Sequence, residues 1–363
     1  MLLFFHFSEH IESMKHILYH ILIWTFISPF YGQQSPKKYQ IRTIAFYNLE
    51  NLFDTINNPN TFDEQSPILE FKGNKTKAYF SKLTNLATVI ADIGFKKTRT
   101  SPAIIGVAEV ENRSVLKDLI ASQPLADKQY GIIHFDSPDR RGIDVALLYQ
   151  KQYFKIIDQK KYELYLWDEK GARIFTRDQL LVSGVLDGEL IYIIVNHWPS
   201  RRGGEVKSSI KREKAARLTK RIILDIYKET PQAKIIIMGD LNDDPNNKSL
   251  KEVLKAEGDI HKIRDTILYN PMEKLFKRGF NTLGYRDNIN LFDQILTSSS
   301  LITRTKLFDT YKLFSTHIYN PKYIITPTGS YKGYPFRSYS NGVFTGGYSD
   351  HYPVYIYLIK EDK

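Results

Sequence analysis

Apolar residues recur along the chain at two spacings, which predict alternating strands and helices. Residues 77–93 and 206–229 place apolar side chains at helical intervals, and residues 113–122 form a shorter stretch of the same kind. Short apolar runs bounded by turn residues predict strands instead. The predicted strands lie in 39–53, 103–112, 130–137, 143–150, 153–159, 177–186, 189–198, 234–240, 291–298 and 351–359.

The predicted strands outnumber the helices, and turn signals between them indicate hairpins. Asp187-Gly188, for example, is typical of a tight hairpin turn. A sheet of this kind buries one face against another sheet and the other face against helices. We therefore expect an α/β fold, a four-layer αββα sandwich of two mostly antiparallel β-sheets flanked by helices. Because no repeat or low-complexity linker divides the chain, residues 34–363 are predicted to form a single domain.

The N-terminal segment has the order of features that is typical of a secretory signal peptide. A short basic region starts at Met14, the apolar run from Ile17 to Phe30 follows, and Gly32 offers a cleavage position. We therefore predict a signal peptide over residues 1–33, with translation starting at Met14, and a secreted or periplasmic protein. The apolar run is short for a bilayer span, so no stable membrane insertion is expected. An uncleaved anchor is the alternative.

Composition narrows the chemistry that the chain can perform. Lys and Arg number 51 against 40 Asp and Glu, and the resulting net charge of +11 favours polyanionic partners. Cysteine is absent, which excludes disulfides, thiolate zinc sites and a cysteine nucleophile. Any metal ion must therefore be held by oxygen and imidazole.

Polar residues follow several of the predicted strands at the point where each strand ends. One such residue alone is commonly a turn or helix cap. If the strand ends converge, however, they form a polar pocket at one rim of an apolar sandwich. Carboxylate and amide oxygens suit Mg²⁺, Mn²⁺ or Ca²⁺, and such ions assist phosphodiester hydrolysis. The residues concerned are Asn48, Glu109, His197, Asp240, Asn242, Asp350 and His351.

Six segments carry a family resemblance that covers residues 41 to 359. In chain order they read AFYNLEN, IIGVAEVEN, VNHWPS, IIMGDLNDDP, FDQIL and YSDHYPV. Together they resemble the endonuclease/exonuclease/phosphatase superfamily, in its deoxyribonuclease-like branch, and suggest a bacterial exported member. The resemblance implies the four-layer sandwich that the strand pattern also predicts. It further implies a divalent cation, Mg²⁺ with Mn²⁺ or Ca²⁺ as alternatives.

The resemblance also implies a role for each residue at a matching motif position. Glu109 is expected to be the principal metal ligand, with Asn48 beside it and Asp350 as a further ligand. Asp240 is expected to orient or deprotonate the attacking water, and Asn242 to hold that water or the scissile phosphate.

Two histidines complete the implied catalytic set. His351 is expected to bind the phosphate, with Asp293 fixing its ring through a carboxylate–imidazole hydrogen bond. His197 occupies the position of a second catalytic histidine in the deoxyribonuclease branch. We assign it to protonation of the leaving group or to contact with the phosphate.

Arginine pairs on two predicted loops are candidates for substrate contacts. Arg141 and Arg201 are predicted to grip phosphates that flank the cleaved bond. The alternative is that they are ordinary turn residues, with Arg141 paired to Asp144. The segment 329–350 mixes aromatic, glycine and basic residues, and it fits either base stacking or a purely structural flap.

These features together predict a monomeric, metal-dependent phosphodiesterase, an exported endonuclease that cuts DNA, with RNA as a further candidate substrate. The alternative is a phosphatase or phospholipase-type hydrolase that acts on inositol phosphates or sphingomyelin. The sequence has no obvious apolar hairpin for membrane insertion, which argues against the lipid substrate. A catalytically inactive binding protein is disfavoured, because every expected catalytic residue is present.

Overall fold

Two large β-sheets dominate the computed structural model, which describes residues 37–285, 288–303, 305 and 307–362. Three small two-stranded hairpins accompany them. The strands of this described part are β1 (Tyr39–Leu52), β2 (Ile104–Val110), β3 (Tyr130–His134), β4 (Asp144–Gln150), β5 (Phe154–Tyr162), β6 (Leu166–Trp167), β7 (Arg173–Ile174), β8 (Gln179–Leu186), β9 (Glu189–His197), β10 (Lys234–Asp240), β11 (Ala256–Glu257), β12 (Leu268–Tyr269), β13 (Leu283–Tyr285), β14 (Asn288–Asn290), β15 (Asp293–Thr297), β16 (Lys312–Ile318), β17 (Tyr339–Ser340), β18 (Val343–Phe344) and β19 (Val354–Glu361).

Two of the described α-helices begin at an asparagine whose side chain satisfies free backbone N–H groups. Asn74 accepts from the N–H of Lys77, and Asn112 accepts from the N–H groups of Ser114 and Val115, which fixes the start of two helices. The α-helices of the described residues are α1 (Pro67–Glu70), α2 (Lys75–Asp92), α3 (Phe95–Thr98), α4 (Arg113–Ala121), α5 (Glu205–Glu229) and α6 (Met272–Lys277). Single 3-10 turns cover Asp63–Gln65, Ala126–Lys128, Ile260–Lys262, Ser299–Leu301 and Lys322–Ile324, and a π-helical turn covers Ser249–Val253.

Both large sheets are mixed, with parallel pairs among mostly antiparallel ones. Sheet I has the order β16-β19-β1-β2-β4-β3, and sheet II has the order β11-β12-β15-β10-β9-β8-β5. In sheet I β1 and β2 run parallel, and in sheet II β9 runs parallel to β10 and β11 to β12. The remaining neighbours are antiparallel.

Alternation of side chains along the central strands separates three apolar cores. Ile44 and Phe46 of β1 point into the core between the two sheets, whereas Ala45 and Tyr47 point to the core beneath α2 and α4. In β10 the inter-sheet core takes Ile236 and Met238. The third core lies between β10 and α5 and includes Ile235, Ile237, Ala215 and Ile222. Three cores stacked in this way give four layers, so the expected αββα sandwich is confirmed.

The parallel pairs explain where the polar strand ends meet. Parallel neighbours present their carboxyl ends at the same edge of a sheet, and ligands commonly bind outside such ends. β1 and β2 bring Asn48 and Glu109 to that edge of sheet I, and β9 and β10 bring His197 and Asp240 to the edge of sheet II. Asp293 of β15 lies directly opposite Asp240 in the ladder.

Two features of the fold differ from the sequence-based expectation. β1 continues past Asn48 to Leu52, with a register shift in its pairing to β2 and with Glu50 and Asn51 both at φ of 49°. The edge strand β16 was not predicted, because its half-exposed residues lack a continuous apolar run. The predicted signal peptide, 1–33, falls outside the described residues and stays a prediction. Of the helices that the structure describes, none is long and apolar enough to cross a membrane.

Candidate active site

Three strand-end side chains meet at the shared edge of the two sheets. Asn48, which is fully buried, donates through Nδ2 to Glu109 Oε1 and to Asp240 Oδ2, each at 3.2 Å. Its Oδ1 accepts from the backbone N–H of Glu50 at 2.9 Å. Asn48 therefore joins one carboxylate from sheet I to one from sheet II, across a sequence separation of 192 residues in the second case.

Unusual backbone geometry aims two of these side chains. Glu109 and Asn242 have φ of 58° and 50°, a region that costs a non-glycine residue about 1 to 3 kcal/mol. Hydrogen bonds hold both in place: Asn51 N–H donates to Glu109 Oε2 at 3.0 Å, and Asn242 Nδ2 donates to the Trp198 carbonyl at 3.0 Å. The glycine of the GDLN segment is required too, because a Cβ on Gly239 would lie 2.3 Å from a backbone carbonyl oxygen.

His197 lies beside both carboxylates as a neutral imidazole. Its Nε2 is 3.6 Å from Asp240 Oδ2 and 3.9 Å from Glu109 Oε1. Burial lowers the pKa of His197 well below its usual range, and the nearby positive charges of Arg177 and Arg141 lower it further. Its Nδ1 is buried and has no hydrogen-bond partner among the described residues.

His351 has the opposite charge state. Its Nδ1 donates to Asp293 Oδ2 at 2.7 Å, and both residues are buried. Burial lowers the pKa of His351, but the carboxylates of Asp293, Asp350 and Asp240 together outweigh burial, so the pKa lies well above the usual value. The imidazolium Nε2 lies 4.0 Å from Asp240 Oδ2 and 3.9 Å from Asp350 Oδ1. It thus places a fixed positive charge beside the carboxylates.

Asp240 is poised to exchange a proton near neutral pH. Burial raises the pKa of Asp240 to about 7; His351 opposes this shift, while Asp293 and Glu109 add to it. Its Oδ1 accepts from Asn242 N–H at 3.0 Å, which leaves Oδ2 facing Asn48 and the two imidazoles. A carboxylate with this pKa can accept a proton from a water molecule.

A comparison with protein families now assigns the chain. The model of the endonuclease/exonuclease/phosphatase family matches residues 43–360. The chain belongs to this family. Its members are typically hydrolases that act on phosphodiester bonds and use divalent metal ions. No curated protein matches the sequence.

Solved structures share the family fold at low sequence identity. D. rerio TDP2 humanized by 14 mutations is 14% identical, with a TM-score of 0.53, over 88% of this chain and 98% of that chain. Truncated Caenorhabditis elegans TDP2 is 14% identical, with a TM-score of 0.51, over 88% and 97%. The family protein from Bacteroides vulgatus is 13% identical, with a TM-score of 0.51, over 89% and 100%. At these identities the likeness supports the fold alone.

The donor set fits the divalent ion that family enzymes use. Glu109, His197 and Asp240 each offer a ligand atom within 4.8 Å of the others. Two carboxylates and one imidazole, with no thiolate, can hold a divalent ion of this kind.

The other two predicted metal ligands are placed differently. Asn48 presents its amide nitrogen to the carboxylates, because its oxygen is bound to Glu50 N–H. In this arrangement Asn48 positions the two carboxylates, and metal coordination by Asn48 stays a prediction. Asp350 Oδ2 accepts from Arg337 at 2.9 Å, so metal binding by Asp350 stays a prediction.

The two predicted phosphate-binding arginines have different surroundings. Arg141 is 54% exposed at the rim, and its partner is Asp139, at 3.4 Å, and not Asp144 as in the alternative reading. Arg201 is anchored more firmly: it donates to the Asn242 carbonyl at 3.0 Å and to Asp244 at 3.1 Å. Contact with phosphate stays a prediction for both, and the geometry favours Arg141.

One buried residue of the site was not predicted from the sequence. Arg177, two residues before β8, donates to Asp139 Oδ2 at 3.1 Å and to the Trp198 carbonyl at 2.6 Å. Its Nε is buried and finds no hydrogen-bond partner in the part of the chain that the structure describes. Burial lowers the pKa of Arg177, and the Asp139 carboxylate counters this only in part. The sequence signal for Arg177 was a single arginine just before an apolar strand.

Proposed function

We propose that this protein is an exported, Mg²⁺-dependent endonuclease that hydrolyses phosphodiester bonds in DNA, and also in RNA. The observation that carries the proposal is the convergence of Glu109, Asp240 and His197 beside the charged His351–Asp293 pair. This set combines a cation site, a proton acceptor and a fixed positive charge, which are the three requirements of phosphodiester hydrolysis. Export is supported by the signal-peptide pattern of residues 1–33.

Each residue has a role that follows from its charge state. Asp240 orients the attacking water and takes its proton, because Asn242 N–H holds its Oδ1 while its Oδ2 faces the two imidazoles at the catalytic edge. His351, as an imidazolium, stabilises negative charge that develops on the phosphate oxygens. Glu109, with Asp240 and His197 nearby, would hold a divalent ion, which would supply further charge neutralisation at the phosphate. Asn48 fixes the distance between Glu109 and Asp240.

The choice of a nucleic acid rests on charge outside the catalytic set. The net charge of +11 favours a polyanion, and the exposed Arg141 at the rim is available to a flanking phosphate. Buried Arg177 adds positive charge beside His197. A polymer with a phosphate on either side of the cleaved bond uses all of these charges, whereas a single head group does not.

A substrate panel tests the proposal. The purified protein is incubated with plasmid DNA, single-stranded DNA, RNA, inositol polyphosphates and sphingomyelin, with Mg²⁺, Mn²⁺ or Ca²⁺ and with a chelator. We expect cleavage of the nucleic acids with Mg²⁺ and none with the chelator. Glu109→Gln should abolish cleavage, while His317→Ala, at a half-buried histidine of the edge strand β16, should not. Release of phosphate or head group with intact nucleic acids would refute the nuclease assignment.

A further inference from the structure

A groove outside the catalytic set has aromatic rings on one wall and basic side chains on the other. The β6–β7 hairpin forms the first wall, and helix α5 forms the second. The groove has a volume of ≈ 400 Å³, and its walls include Tyr165, Trp167, Lys214, Arg217 and Arg221. We call these five residues the aromatic–basic groove.

The aromatic wall presents flat ring surfaces to solvent. Tyr165 and Trp167 are two residues apart on the hairpin and stack with their centroids 6.1 Å apart and their planes at 20°. They are 49% and 51% exposed, although large aromatic rings are usually buried more deeply. The guanidinium of Arg173 lies 4.5 Å from the Tyr165 ring and 4.9 Å from the Phe175 ring, which keeps the hairpin rings aligned.

The basic wall is one exposed face of α5. Lys214, Arg217 and Arg221 follow at intervals of three and four residues, so they lie on the same side of the helix. All three are exposed, and Arg217 pairs with Glu213 at 3.4 Å. Within the described residues, Lys214 and Arg221 have no ion-pair partner. Much of this charge is therefore available to an anion.

Aromatic and basic side chains connect the groove to the candidate active site. The Phe175 ring contacts the Arg173 guanidinium of the hairpin. It also contacts Arg140, whose guanidinium lies 5.7 Å from the ring centroid. Arg177, two residues beyond Phe175, binds Asp139 beside His197. A strand leaving the catalytic edge would thus meet rings and positive charges in succession.

We propose that the aromatic–basic groove binds the single-stranded continuation of a nucleic acid whose cleaved bond lies at Glu109 and Asp240. This inference rests on the proposed nuclease function. Bases stack on Tyr165 and Trp167, and the backbone phosphates pair with Lys214, Arg217 and Arg221, a combination that is typical of single-strand binding. A duplex hides its base faces, so it can use only the basic wall.

Binding of labelled oligonucleotides in the presence of a chelator tests the stacking half of the proposal. Anisotropy is measured with a single strand of about 15 nucleotides, within the usual site-size range, and with a duplex of the same sequence. Trp167→Ala should weaken single-strand binding roughly 5- to 150-fold. It should leave duplex binding within about twofold, because paired bases do not reach the rings. Phe80→Ala, at a 57% exposed ring on α2, is the matched control and should change neither.

Salt dependence tests the charged wall. Replacing Lys214, Arg217 and Arg221 together by glutamine should reduce the slope of log Kd against log salt by about 2 units for the single strand. The control replaces Lys72, Lys77 and Lys96, which are exposed elsewhere, and so removes the same net charge. Equal slopes for both triple variants would show that only net charge matters and would overturn a localised groove.

The outcomes separate this inference from the proposed function. If the wild-type protein cuts no nucleic acid, both fail. If it cuts nucleic acids and Trp167→Ala binds and cuts the long single strand as wild type does, the groove assignment alone fails. Loss of long-strand cleavage, with unchanged hydrolysis of a dinucleotide, would support the groove. Unchanged thermal unfolding of the variants excludes a folding defect, as all five side chains point to solvent.

Discussion

Replacing Asp293 by asparagine should convert His351 from a charged to a neutral ring. The Asp293 carboxylate accepts from His351 Nδ1 at 2.7 Å, and both groups are buried, so the bond is charge-assisted and shielded from water. A hydrogen bond to a charged group contributes about 1.5 to 3 kcal/mol. Asparagine keeps the shape and removes the charge, so the pKa of His351 should fall and burial should then keep the ring neutral, as it does at His197.

Loss of the imidazolium should reduce hydrolysis without unfolding the protein. We expect kcat/KM to fall by about 10² to 10³ at neutral pH, the range for removing one positioned electrostatic donor. The alkaline limb of the pH–rate profile should move to lower pH together with the pKa of His351. The pKa itself can be followed by NMR of the imidazole Cε1–H signal. Asp127→Asn, at an exposed carboxylate, is the control for charge removal.

The same pair fixes the sign of a stability change with pH. The folded pKa of His351 lies above its unfolded value, so this group stabilises the fold fully below the unfolded pKa. The contribution is lost as pH rises through the folded pKa. Asp293→Asn should flatten that part of the profile. An unchanged pKa of His351, or an unchanged rate profile in the variant, would refute the role assigned to this ion pair.

Three further predictions follow from neighbouring carboxylates and the buried arginine. Asp243→Asn should lower the free energy of unfolding by about 3 to 5 kcal/mol in urea titrations, because it breaks the buried pair with Arg212 at 2.6 Å. Asp240→Asn should instead abolish hydrolysis at little cost in stability. The reverse pattern would contradict the assignment of Asp240 to catalysis and of Asp243 to structure. Burial raises the pKa of Glu50 to about 7, with Asp350 adding to the shift and Lys82 and Arg337 opposing it. Its folded form keeps a proton that the unfolded chain loses near 4.5, so stability should fall as pH rises from 4.5 to about 7. Glu50→Gln should remove this slope in unfolding experiments and Glu64→Gln should not; equal slopes would show that Glu50 does not titrate as expected. Arg177→Lys should lower kcat/KM by about 10² to 10³, the range for one lost electrostatic donor. The control Arg264→Lys, at an exposed arginine, should leave kcat/KM unchanged. Full activity in the Arg177 variant would assign Arg177 to structure.

Much of the fold could be predicted because the apolar periodicity is strong in the central strands. β10 reads as an unbroken apolar run, and β1 as a run with alternating faces, since each strand is covered on both sides. Among the strands that the structure describes, β16 pairs with β19 alone at a sheet edge, and its half-exposed side chains leave little pattern to detect. The burial of a strand thus decides how visible it is in the sequence.

The sequence predicted which residues form the site better than it predicted how their side chains are oriented. Asn48, Glu109, His197 and Asp240 could be named because each ends an apolar strand. The direction of the Asn48 amide depends on the Glu50 N–H, which a left-handed backbone turns toward it, and no sequence pattern encodes that turn. Arg177 escaped notice because its partner Asp139 lies 38 residues away and acquires meaning only in three dimensions.

The two catalytic-edge histidines show how the fold gives one residue type two charge states. His197 and His351 are both buried and both face Asp240, at 3.6 and 4.0 Å. The difference lies at Nδ1: in His351 it binds the Asp293 carboxylate, and in His197 it has no partner among the described residues. Burial therefore keeps His197 neutral, and the ion pair keeps His351 charged. A neutral ring can coordinate a cation or relay a proton, and a charged ring can bind phosphate. The two histidines therefore have different roles because β15, which carries Asp293, lies beside β10 in the sheet.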